Sequence, residues 1–94
     1  MSSNDRQAEW DTTALLHRIN PELNEFRYYH VRVGPTLLDQ HAVIRVLGRI
    51  GGHQRMMINP CQTDAEARTL ADRLIRRRLK RGYTLIRNEM LEDE

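Results

Sequence analysis

Arg45-Val46-Leu47-Gly48-Arg49-Ile50-Gly51-Gly52 is the segment whose residue types and spacing offer chemistry, and that chemistry is binding. Glycines inside a β-type run, followed by a glycine pair, imply a strand, a tight turn and a returning strand. Arginine carries a planar fork that pairs bidentately with phosphate, and here two arginines bracket a leucine. Strand alternation places Arg45, Leu47 and Arg49 on one face, where guanidiniums would meet phosphates and the leucine a sugar or base. An ordinary polar outer face with one exposed leucine would look the same and needs no function. Gly48, beside Arg49 in the same strand, and Arg55, on the returning strand, join these candidates.

A second basic group is carried by a helix. Thr63 is placed to cap its start, with Glu66 completing a capping box. Ala67, Leu70, Ala71, Leu74, Ile75 and Leu79 recur at helical spacing as the buried stripe. Opposite them fall Arg73, Arg76, Arg77 and Lys80, with Arg81 just before Gly82, the expected helix stop. Arg68–Asp72 and Asp72–Arg76 are spaced for i,i+4 pairing. A solvated helix face accounts for the outer cations without any function. Arg78 drops into the apolar stripe and is expected to snorkel.

Other chemistries find no constellation. His17, His30, His41 and His53 lack metal-ligand spacing, and Cys61 alone cannot build a cysteine-rich zinc site. There is no nucleophile elbow, P-loop or dinucleotide fingerprint, and no carboxylate pair placed by local spacing. The expectation is a non-enzyme with no metal, no cofactor and no small-molecule substrate. A single cysteine fits a reducing compartment. The polar start Met1-Ser2-Ser3-Asn4-Asp5-Arg6 is no secretory signal, and no apolar run approaches the ~18 residues of a membrane span. A cytoplasmic protein with no membrane contact is expected.

The elements that must position these residues fit in one small domain of 94 residues with formal charge +2. All but one of the fifteen basic residues are arginine, a bias that codon usage in a GC-rich genome would also produce. Residues 1–11 read as a loose arm, with Trp10 a candidate to dock back. Residues 12–88 read as the domain and 89–94 as an acidic tail. Strands are expected over Thr13–Ile19, Phe26–Val33, His41–Ile50 and Arg55–Asn59, the last ended by Pro60, with a short one over Tyr83–Ile86. In the third, Ala42, Ile44, Val46, Gly48 and Ile50 are assigned to the core and Val43, Arg45, Leu47 and Arg49 to solvent. The fold class is α+β, a small antiparallel β-sheet with one long helix packed across one face.

The ordered series Arg27-Tyr28-Tyr29, Pro35-Thr36-Leu37-Leu38, Leu47-Gly48-Arg49-Ile50-Gly51, Thr63-Asp64-Ala65-Glu66-Ala67 and Lys80-Arg81-Gly82-Tyr83 resembles the WGR domain. That family occurs in poly(ADP-ribose) polymerases and in short bacterial proteins. The resemblance covers Leu15 to about Leu85 and implies a sheet flanked by a helix, in a non-catalytic module that binds nucleic acid. By position Gly48 and Arg49 match the motif glycine and arginine, while Leu47 stands where the motif tryptophan should be. Base stacking on an aromatic ring contributes about 1–3 kcal/mol, and leucine has no π-face to supply it.

Two functions follow as expectations. One is a nucleic-acid-binding module, for DNA above all, that takes backbone or strand ends without reading sequence. Arg45 and Arg49 would hold phosphates, and the helix cations Arg73, Arg76, Arg77, Lys80 and Arg81 would add long-range attraction. The other is an interaction module for a larger protein, with Leu47 as an exposed apolar anchor.

Overall fold

The computed structural model describes residues 12–88. The expected arm, with Trp10, and the acidic tail lie outside the described residues. Strands β1 (Thr12–Asn20), β2 (Glu25–Gly34), β3 (His41–Arg49), β4 (Gln54–Cys61) and β5 (Thr84–Asn88) form one sheet in the order β4-β3-β2-β1-β5. Every pairing is antiparallel. Helix α1 (Asp64–Lys80) crosses one face, so the α+β architecture is the one expected.

Local chemistry sets the connections. Between β1 and β2, Pro21 opens a 3-10 turn at Pro21–Leu23 and Asn24 closes it in the left-handed region at φ 55°. Asn tolerates that conformation because its short polar side chain bonds locally. Thr63 Oγ1 accepts from the Glu66 N–H at 3.0 Å. The Glu66 carboxylate accepts in return from Gln62 N–H, one residue ahead of the cap. At the other end Gly82, at φ 93°, donates to the Leu79 carbonyl, and Tyr83 N–H donates to that of Arg78. This double closure ends the helix and satisfies two of its last carbonyls.

The core lies between α1 and the sheet. Ala14, Leu16, Tyr29, Val31, Val33 and Val43 meet Ala67, Ala71, Leu74 and Ile75. The two alanines carry nothing beyond Cβ, so the helix backbone can approach β2 and β3 closely.

Four expectations are corrected. The faces of β3 are inverted: Val43 belongs to the core under α1 and Leu47 packs against it, so Val43, Arg45 and Leu47 point to the helix side. Ala42, Ile44, Val46 and Gly48 lie on the opposite face, and Ile50 falls in the turn beyond β3. Ala42, Val43 and Ile44 are apolar on both parities, so period-2 counting could not choose between the faces; the arginines decided it wrongly. Pro60 does not end β4 but sits within it, paired with Ala42. Proline is tolerated there because β4 is an edge strand, whose outward N–H needs no partner. Leu79 is 39% exposed rather than in the buried stripe. Arg68 pairs with Asp64 at 2.7 Å, while Asp72–Arg76 forms as expected at 2.8 Å.

Candidate nucleic-acid interface

Cross-strand register assembles a basic row that runs over three strands. Arg18 stands opposite Arg27, and Arg27 opposite Arg49. One row inward, Leu16, Tyr29, Leu47 and Arg55 align in the same way. All belong to the helix side of the sheet, at the end where α1 terminates. A Cβ on Gly82 would lie 3.8 Å from Arg18 Nε, so the helix end abuts the row. Outward along α1, Arg73, Arg77 and Lys80 follow at i, i+4 and i+7, all exposed. They border a shallow depression together with Thr69, Asp72 and Arg76. Helix face, helix end and sheet end thus form one continuous basic belt.

Its members are not equally available. Arg18 pairs with Glu25 at 3.4 Å and Arg76 with Asp72. Arg49 is held most firmly. Its guanidinium donates to the Asn24 backbone carbonyl at 2.9 Å and to Asn24 Oδ1 at 3.1 Å, and it lies over the Phe26 ring at 5.2 Å. The motif arginine therefore fastens the β1–β2 turn to the end of β3. Arg27, Arg55, Arg73, Arg77, Lys80 and Arg81 are exposed, without side-chain partners among the described residues.

Gly48 has a steric reason for being glycine. A Cβ there would collide with the His53 carbonyl oxygen and lie 2.9 Å from Gln54 Cα. Only a bare backbone lets β4 approach β3 at this point.

Arg45 and Leu47 do not form the expected solvent stripe. Arg45 is half-buried and donates to Asn59 Oδ1 at 2.8 Å, with its Nε buried and lacking a partner. Leu47 packs against the core, so it is not an exposed anchor. Arg78 completes the picture: its guanidinium lies 4.2 Å from the Tyr29 ring centroid and 5.4 Å from that of Tyr83. It keeps its charge in the apolar stripe by stacking on π-faces, where snorkelling alone was expected. Arg18 and Arg27 were missed as site residues. The signal was present, because the two are equidistant from the Pro21–Asn24 turn and a hairpin pairs such residues.

Among the described residues no group of three or more His, Cys, Asp and Glu side chains could hold a metal ion. Burial and the nearby Glu66 carboxylate push the Cys61 thiol up, so it stays protonated and is a poor nucleophile. No helix of the described residues is long and apolar enough to cross a membrane.

These features define a class: a small antiparallel sheet with one crossing helix and a basic belt joining the helix to a glycine-bearing strand end. The WGR domain family model matches residues 12–90, and the chain belongs to that family. It is also similar to an uncharacterized protein, y4dW, of Sinorhizobium fredii (strain NBRC 101917 / NGR234), being 30% identical over 83 residues. That match covers 88% of this chain and 41% of the relative, so the chain spans less than half of the relative's length. No solved structure matches the chain.

Proposed function

We propose that the protein is a non-catalytic nucleic-acid-binding module that grips the phosphate backbone, DNA above all, without reading sequence. The observation that carries this reading is the continuous belt, with six exposed cations that no carboxylate pairs among the described residues. Backbone contacts of this kind fix position and carry no sequence information. Arg27, Arg55 and Arg81 would take phosphates at the sheet end, while Arg73, Arg77 and Lys80 track the backbone further along. Arg49 shapes the end of the belt by holding the turn, and family membership favours the same use of this region.

Fluorescence anisotropy with a blunt duplex across a salt series tests the proposal. Each phosphate contact releases counterions, so affinity should fall steeply with salt. Replacing Arg73, Arg77 and Lys80 together by alanine should flatten the log–log slope by about 3. Binding that ignores salt, or a triple variant with an unchanged slope, would remove the belt from the function.

An adaptor for a larger protein is the second reading, favoured by one observation. Leu37 and Leu38 are 104% and 93% exposed on a turn fastened by Thr36 Oγ1, which accepts from the Leu38 and Asp39 N–H groups. The apolar anchor assigned in sequence to Leu47 would then be this turn. Capture of a specific partner that is lost on Leu37→Ser/Leu38→Ser, with no duplex binding, would favour it.

A further inference from the structure

Resting on the nucleic-acid reading above, we propose that the sheet face away from α1 is a base-stacking platform for single-stranded nucleic acid, centred on Tyr28. No helix of the described residues packs on this face. Its middle strand, β2, presents Tyr28, His30 and Arg32 at alternate positions, all half-exposed. Half-exposed His17 of β1 stands opposite Tyr28 and places a second ring beside it.

The Tyr28 ring is held across the sheet. Tyr28, Gly48 and Gln54 are aligned over β2, β3 and β4, and the tyrosine hydroxyl donates to Gln54 Oε1 at 2.6 Å. To reach β4 the ring must pass over β3, and it does so at the one position in that row without a side chain. A ring laid over glycine in this way turns one π-face to the sheet and the other to solvent. Stacking on such a face is indifferent to base identity, since every base has a π-face.

Charge on this face suits a polyanion. Arg32 is there, and none of the described Asp or Glu residues is. Glu25 pairs with Arg18 on the helix side, Glu22 and Asp39 sit in turns, and Asp64, Glu66 and Asp72 belong to the helix segment. Burial and Arg32 hold the His30 imidazole below its usual pKa, so near neutral pH it is an uncharged ring that can itself lie against a base. From Tyr28 to Arg32 the strand runs about 13 Å, room for two or three bases, as on other sheet platforms.

The test compares oligo(dT) with an abasic oligomer of equal length, so that phosphate charge is constant and only bases differ. A blunt duplex serves as the third probe. Wild-type protein should bind oligo(dT) about fivefold to a hundredfold more tightly than the abasic strand. Tyr28→Phe, which keeps the ring, should preserve that ratio; Tyr28→Ala should abolish it and leave duplex affinity unchanged. Equal affinity for oligo(dT) and the abasic strand would overturn the platform, whether or not the duplex binds. So would equal weakening of oligo(dT) and duplex by Tyr28→Ala. A duplex bound with no base preference leaves the belt standing alone; a base preference without duplex binding leaves the platform and removes the belt.

Discussion

On one side of β2, Tyr29, Val31 and Val33 are sealed beneath α1. On the other, the same ten-residue strand keeps Tyr28, His30 and Arg32 half open. Each side pairs aromatic rings with arginine, yet to different ends. Under the helix, Arg78 stacks on Tyr29 and Tyr83, which themselves meet edge to face with centroids 6.4 Å apart. There the aromatic faces are used up by the protein. Across the sheet, Tyr28 is held by its hydroxyl, and among the described residues no cation stacks on its ring. Strand alternation alone makes this division: burying one set of side chains turns the other outward.

Gly48 stands on the open side in register between Tyr28 and Gln54, and replacing it should give the largest effect. In Gly48→Ala the new methyl would meet the His53 carbonyl and Gln54 Cα, both backbone atoms that cannot rotate away. The β3–β4 hairpin must then open. A loss of about 3 kcal/mol is expected in urea unfolding, from strain of this kind. An unchanged midpoint would show that β4 shifts freely and that the glycine serves only the ring above it.

Legibility in the sequence follows the same division. Helix α1 was readable to within a residue because its signals are local: Thr63 and Glu66 at the start, Gly82 at the stop, apolar spacing between. The existence of each strand was readable from alternation and turn residues, though the end of β4 was not. The facing of β3 was not, because Ala42-Val43-Ile44 is apolar on both parities and all three residues are buried. Only the partners decide, through Val43 opposite Val33 and Leu47 opposite Tyr29. The basic row was hidden for a related reason. Arg18 and Arg27 face each other across one short turn, but Arg49 joins them only when the register of β2 with β3 is also fixed. Pro60 misled because its meaning depends on whether β4 is an edge strand, which is a property of the whole sheet.

The helix side can be probed apart from the open side through Arg78. Arg78→Met keeps most of the apolar bulk and removes the cation. The loss should be about 1–2 kcal/mol, the range of cation–π contacts that are partly desolvated. Equilibrium unfolding measures it, and oligo(dT) affinity should stay unchanged because the platform lies on the other face. A methionine variant as stable as wild type would show that the two tyrosines need only an apolar neighbour.

The smallest effect separates the faces by pH. His30 lies between Leu15 and Val46 in register, and burial, with Arg32 nearby, lowers its pKa in the fold. The unfolded chain regains the ordinary imidazole value of about 6.5. Between the lowered value and 6.5 the unfolded state therefore binds more protons than the native state, so stability rises with pH across that window. The contribution is fully present above about 6.5 and is lost as pH falls through the window towards the lowered native value. His30→Gln, which cannot titrate, should flatten this part of the stability–pH curve while leaving the midpoint at neutral pH nearly unchanged. If the slope persists in His30→Gln, the proton uptake belongs to another group, and the imidazole on the open face is not held neutral by its surroundings.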